Sequence, residues 1–146
     1  TAASVITAVD HSKDAIEYAR RFYPDKKITY ILQDVLTSSF PDEYFDCILA
    51  FEIVEHVDGA ILIKKLHKAL KKDGILIVST PNQDKMPFSK KDFPSHLRHY
   101  TQEELNRLLT DRGFRIISKH TQLSRDKADI SDGWGGLFNI AVAKKL

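Results

Sequence analysis

Acidic and imidazole side chains gather at three places in the 146 residues, and each place offers a different chemistry. Asp10 ends the apolar run "SVITAVD", and Asp34 ends "KITYILQD" in the same way. A carboxylate at the carboxyl end of a parallel strand can accept both hydroxyls of a ribose, and two such acids on neighbouring strands point into one crevice. An aspartate also serves there as a plain helix-start or turn residue. Glu52, Glu55 and His56 follow the next apolar run, in "FEIVEHV". On a helix their spacings of three and four would share one face, suited to a divalent ion or to acid/base work. The alternative is local hydrogen bonding that shapes a strand-to-helix loop, and no metal ligand is assigned from the sequence. The third group is "FPSHLRHYTQEEL", where His96, Arg98, His99 and Tyr100 precede a helix start. They would either close over a crevice as a lid with a general base or simply tie down their own loop.

The elements that must position these groups alternate between apolar runs and helix-period segments, the pattern of an α/β sheet built from crossover units. Strands are expected over 4–10, 27–34, 47–54 and 75–82. Between them, Ser12 caps a helix with Ala15, Ile16, Ala19, Phe22 and Tyr23 on one face, ended by Pro24. Asp58 caps another that turns Ile61, Leu62, Leu66, Ala69 and Leu70 inward and its lysines outward, with Gly74 near its end. His67 among those lysines is expected to be exposed. Residues 83–100 read as a long irregular segment, a length usually kept for function. Thr101 and Glu104 form a capping box, and Gly113 closes that helix. Two final strands, 114–120 and 137–145, should pair as an antiparallel hairpin. The glycines of "GWGG" precede a strand, so they read as a turn and not as a phosphate loop, with Trp134 for packing or for a pocket.

Composition narrows the class. The chain is 42% hydrophobic, enough for one globular domain with its own core. Its 22 basic residues nearly match 20 acidic ones, so charge gives no sign of a nucleic-acid partner. No apolar stretch is long enough for a bilayer and no signal-peptide succession is present. Cys47, the single cysteine, is expected as a buried thiol in a cytoplasmic protein.

Four blocks, "VITAVDHSKDAIEYA", "FDCILAFEIVEHV", "LKKDGILIVSTPN" and "HLRHYTQEELNRLLTDRGF", together resemble the class I S-adenosylmethionine-dependent methyltransferases. The resemblance covers nearly the whole chain and is strongest to the small bacterial-type group similar to the ubiquinone-pathway enzymes. It implies a Rossmann-like, doubly wound α/β sheet ordered 3-2-1-4-5-7-6 with only the last strand antiparallel. The strands read above would be strands 2 to 7 of a single domain over 1–146. S-adenosylmethionine is then the implied cofactor, with Asp10 at its ribose, the adjoining His11 also among the cofactor-binding residues, Asp34 and Val35 facing adenine, and Phe51 and Glu52 near its methionine part. Family members carry a first strand and a D-x-G-x-G-x-G loop ahead of the matched region. Neither is in these residues, so the chain is expected to be truncated at the N-terminus and to bind the cofactor weakly or not at all.

The implied reaction moves a methyl group from a sulfonium to an oxygen, nitrogen or carbon nucleophile of a small-molecule acceptor. Such displacements lean on alignment and need only a modest base. His56 and His99 are the candidates for handling the proton. Nucleic acid and membrane are not expected as partners. One rival reading is a metal-assisted RNA 2′-O-methyltransferase, which Glu52, Glu55, His56 and His99 resemble but "YTQEEL" does not. The other is a non-catalytic methyltransferase-like module.

Overall fold

The computed structural model describes residues 3–127 and 129–146, and the chain forms two compact units, Thr1–Ser39 and Phe40–Leu146. The first unit is a strand, helix and strand: β1 (Ile6–Asp10), α1 (Lys13–Phe22) and β2 (Ile28–Leu32). The two strands pair in parallel, Ile6 opposite Ile28 and Asp10 opposite Leu32. Ser12 caps α1 by accepting the Ala15 N–H at 3.2 Å, and the helix ends just before Pro24. On its predicted apolar face Ile16 is buried at 3% exposure, but Phe22 and Tyr23 are exposed. One helix over two strands has too little opposing surface to cover two further aromatic rings; Tyr18 and Phe22 lie against each other instead, their ring centroids 4.5 Å apart.

The second unit carries β3 (Phe45–Phe51), α2 (Gly59–Ala69), β4 (Leu70–Pro81), α3 (Gln102–Thr110), β5 (Phe114–Gln122), β6 (Ile130–Asp132) and β7 (Phe138–Lys145). Its sheet has the order β3-β4-β7-β5-β6. β3 and β4 are parallel, and β7 runs antiparallel to both of its neighbours. The order reproduces the 4-5-7-6 succession expected above, with one strand added: β6, which pairs with β5 over His120 to Gln122. β6 escapes notice in the sequence because it is three residues long and exposed throughout, with no apolar alternation.

Four other expectations change. Helix α2 ends at Ala69, so Lys71, Lys72 and Gly74 belong to β4. Strand pairing jumps from Phe45↔Leu70 to Cys47↔Ile75, and this bulge takes up residues 71 to 74. Asp73 sits at φ 63° within it, and a Cβ on Gly74 would lie 2.8 Å from the Lys71 carbonyl oxygen. Ile61 is exposed, and α2 instead buries Leu62, Ile63, Leu66 and Ala69. Cys47 is exposed as well. It stands on β3, an edge of this sheet with a partner on one side alone, whereas an interior strand would have covered it. His67 is half-buried, edge-on to Phe114 at 5.1 Å between centroids.

Helix α3 has the predicted capping box, Thr101 accepting from the Glu104 N–H at 3.1 Å and Glu104 from the Thr101 N–H at 2.9 Å. Its Leu105 and Leu109 join Leu62, Ile63, Leu76 and Val78 in a fully buried core. Gly59 opens α2 against Tyr100: a Cβ there would overlap the Tyr100 hydroxyl and lie 2.9 Å from Val54 Cγ2. Alanine gains at most about 1 kcal/mol in helix propensity, while overpacking a close contact costs about 1–3 kcal/mol. Gly59→Ala is therefore expected to destabilise the chain, measured as a lower urea midpoint at unchanged slope.

Candidate functional site

In the first unit, Asp10 and Asp34 stand at the carboxyl ends of paired parallel strands. The Gln33 N–H donates to the Asp10 carbonyl oxygen at 2.9 Å, which sets the two strand ends side by side. Both aspartates are exposed and both also organise their own turns. Asp10 Oδ1 accepts the Ser12 N–H at 2.7 Å, and Asp34 Oδ1 the Leu36 N–H at 2.7 Å. In each aspartate the turn takes Oδ1. His11 is exposed, with Nδ1 3.8 Å from Asp10 Oδ1. Val35 is half-buried in the turn that Asp34 organises.

In the second unit the chain leaves β3 through Glu52, held at φ 49° in the left-handed region. A non-glycine residue there needs its surroundings to hold it. Ser79 does so: its carbonyl and hydroxyl oxygens each accept the Glu52 N–H at 3.2 Å, and its hydroxyl donates to Glu52 Oε1 at 2.6 Å. Phe51 beside it is 54% exposed. Thr80 repeats the device one residue on, its hydroxyl donating to Glu55 Oε2 at 3.0 Å. Glu55 has no exposed surface, and its Oε1 has no hydrogen-bond partner among the described residues.

Glu55 also anchors the irregular segment, because its carbonyl oxygen accepts the Leu97 N–H at 2.7 Å. That bond brings His96 over His56, with ring centroids 4.4 Å apart and planes at 65°. His56 Nδ1 lies 3.1 Å from the Ser95 carbonyl oxygen, His96 Nδ1 lies 2.8 Å from His99 Nε2, and His99 Nδ1 lies 2.6 Å from the Met86 carbonyl oxygen. One potential ligand atom from each of Glu55, His56 and His96 lies within 4.8 Å of the others. His99 is enclosed behind them at 2% exposure. The sequence placed His56 and His99 together as proton handlers. The structure pairs His56 with His96 and puts His99 behind, bonded at both ring nitrogens.

The Methyltransferase domain family model matches residues 1–78. The chain belongs to the methyltransferase-domain family. A probable S-adenosylmethionine-dependent methyltransferase of Mycobacterium tuberculosis is 32% identical over 114 residues, 75% of this chain and 40% of that protein. A ubiquinone biosynthesis O-methyltransferase of Rickettsia typhi is 34% identical over 86 residues, 57% of this chain and 35% of that protein. The chain thus spans well under half the length of these curated relatives. Among solved structures, an S-adenosylmethionine-dependent methyltransferase of Mesorhizobium loti shares the fold with TM-score 0.80 at 21% identity, covering 98% of this chain and 81% of the other. The fold expected from the four blocks is therefore the fold observed.

Within this methyltransferase-domain chain, sequence reasoning quoted "STPN" without giving its residues work. Ser79 and Thr80 pin Glu52 and Glu55. Asn82, fully buried, donates from Nδ2 to the Gly136 carbonyl oxygen at 3.0 Å and accepts the Met86 N–H at its own carbonyl oxygen at 2.7 Å. A strand-end run of hydroxyl and amide residues after an apolar stretch is the signal that was available. Trp134, left undecided, packs: its Nε1 donates to the Ile140 carbonyl oxygen at 3.3 Å, and Lys119 Nζ lies 4.5 Å above its ring. No described helix is long and apolar enough to cross a membrane.

Burial raises the carboxyl groups of both Glu52 and Glu55 above the usual range. For Glu55 its own backbone N–H and Thr80 oppose the rise. Glu52, whose carboxyl is crowded although the residue is exposed overall, is pushed up to about 7, against the opposing Ser79 hydroxyl. A group with a raised folded pKa binds a proton more tightly folded than unfolded, so its contribution is present below its ordinary pKa and is lost as pH rises toward 7. Glu52→Gln removes that loss. The stability of the variant relative to the parent should rise between pH 5 and 7 and then level off, as followed by urea midpoints across pH.

Proposed function

We propose that this chain serves S-adenosylmethionine-dependent methyl transfer to a small-molecule acceptor. The observation that carries the reading is Asp10: an exposed carboxylate at the carboxyl end of β1, in a chain whose family match covers that strand. Asp10 accepts the ribose hydroxyls through the oxygen that its turn leaves open, with His11 at its side. Asp34 and Val35 flank adenine from the end of β2, and Phe51 with Glu52 attend the methionine part from the end of β3. Each assignment rests on its own strand end and on the resemblance of the surrounding block.

When bound, the cofactor supplies a methyl group on a positively charged sulfur. The acceptor's lone pair would take that methyl while the sulfur kept the electron pair of the broken carbon–sulfur bond. Glu52, exposed and with its carboxyl pushed up to about 7 by its crowding, would take the acceptor's proton, in the working range of a general base. His99 is enclosed with both ring nitrogens bonded, so it acts on its neighbours and not on an acceptor. A small-molecule acceptor is consistent with the near-balance of 22 basic and 20 acidic residues, which offers a polyanion no strong field. The lone Cys47, free in the structure, fits a reducing, cytoplasmic setting.

The test is a nuclear magnetic resonance titration of the chain with S-adenosylhomocysteine into the millimolar range, which detects weak binding. Amide shifts are expected at Asp10, His11, Asp34, Val35, Phe51 and Glu52, and Asp10→Ala should weaken the response at least tenfold. No shift at any of these amides would overturn the reading.

A further inference from the structure

The Glu55, His56 and His96 cluster is arranged more specifically than local hydrogen bonding requires. A ring nitrogen that faces a carbonyl oxygen must carry the proton, because two acceptors repel. His56 Nδ1 faces the Ser95 carbonyl at 3.1 Å, so in the neutral ring Nε2 holds the lone pair. His99 Nδ1 faces the Met86 carbonyl at 2.6 Å, so His99 Nε2 is an acceptor; it takes the proton of His96 Nδ1 at 2.8 Å. His96 is thereby left with its own lone pair on Nε2. Two backbone carbonyls, one of them acting through His99, thus fix two imidazoles in the tautomer that presents Nε2 as a donor atom for a metal. This is the usual support of a metal-bound histidine, which gives its other N–H to a carbonyl or a carboxylate.

The third group is Glu55, whose Oε2 is held by Thr80 while Oε1, fully buried, has no partner among the described residues. A buried, unpaired carboxylate oxygen is costly and calls for a counter-charge. We propose that Glu55, His56 and His96 bind one divalent first-row transition ion of the zinc type, with Oε1 and the two Nε2 atoms as ligands.

Two imidazoles and one carboxylate suit zinc or iron(II) better than magnesium, which prefers oxygen ligands alone. Ligand atoms around a tetrahedral zinc lie about 3.3 Å apart at ordinary bond lengths. One candidate ligand atom from each of the three residues already lies within 4.8 Å of the others. Three protein ligands leave a position open to a water or a ligand oxygen. His99 is a positioning residue here and not a ligand, since Met86 and His96 occupy both of its nitrogens. The ligands implied by the rival resemblance, Glu52, Glu55, His56 and His99, are not the set that the geometry brings together.

The proposal does not depend on methyl transfer and is tested with the metal alone. Tag-free chain, stripped of metal, is titrated with zinc chloride by calorimetry, and with cobalt(II) by visible absorption. One equivalent of zinc is expected, with a cobalt spectrum of low coordination number. His56→Ala and His96→Ala should each weaken zinc binding at least tenfold, and Glu55→Gln, which keeps the shape of the side chain, should do the same. His99→Ala should weaken it roughly 10–100-fold through the lost support. His120→Ala, whose ring pairs with Asp132 elsewhere in the sheet, should change nothing. Circular dichroism of each variant separates loss of the site from loss of the fold. Absence of zinc uptake at millimolar concentration, or unchanged uptake in folded His56→Ala and His96→Ala, would overturn the proposal.

Discussion

Glu55 is the residue on which the arrangement at the end of the parallel strands depends. A carboxylate taken wholly out of water loses several kcal/mol of hydration unless its oxygens find partners. Thr80 on the adjacent strand supplies one partner, and the Glu55 backbone supplies the attachment for residue 97 on the far side of a long irregular segment. One residue therefore joins the end of β4 through its side chain and the loop of histidines through its backbone. Removing the carboxylate would free the Thr80 side chain at the end of β4 from the exit of β3, while the backbone bond to residue 97 would stay.

The hydroxyls of Ser79 and Thr80 act as a pair because successive residues at a strand end point to opposite faces. One hydroxyl meets the exposed Glu52 and the next meets the buried Glu55, so two acids three residues apart acquire different surroundings from one dipeptide. Glu52 is left exposed with its carboxyl pushed up to about 7, and Glu55 is enclosed. Division of labour between neighbouring acids by environment alone is a common way to obtain distinct chemistry from identical side chains.

What could be seen in the sequence was what is local. The caps at Ser12, Asp58 and Thr101 rest on bonds spanning two or three residues, so each was recognisable from its own neighbourhood. The parallel pairing of β3 with β4 followed from apolar runs separated by a helix of the right length. The tautomers of His56, His96 and His99 were not legible, since they are set by the carbonyls of Ser95 and Met86, and a carbonyl is present at every residue. The ending of α2 was misjudged for a related reason. Lysines at positions 71 and 72 satisfy a helix face as well as they satisfy a strand, and only the pairing of Leu70 with Phe45 decides between them. Of the candidate residues, Asp10, Asp34, Glu52 and Glu55 stand out in the sequence by their places at or just past apolar runs, whereas the partnership of His56 with His96 required the loop to be folded.

The junction of α2 and β4 has no connecting loop, for the last helical residue is Ala69 and the first strand residue is Leu70. Lys145, nearly buried at the end of β7, donates to the Leu70 carbonyl oxygen at 2.8 Å and so seals this junction from 75 residues away. β7 also lies between β4 and β5, hydrogen-bonded to both. On a ribosome, then, the centre of the sheet must wait: β4 emerges early and stays without its second neighbour until residues 138–145 have been made. Pairings of such long range are slow to form and expose apolar strand surface in the interval. The order of synthesis thus makes the last strand the step that commits the second unit to its fold.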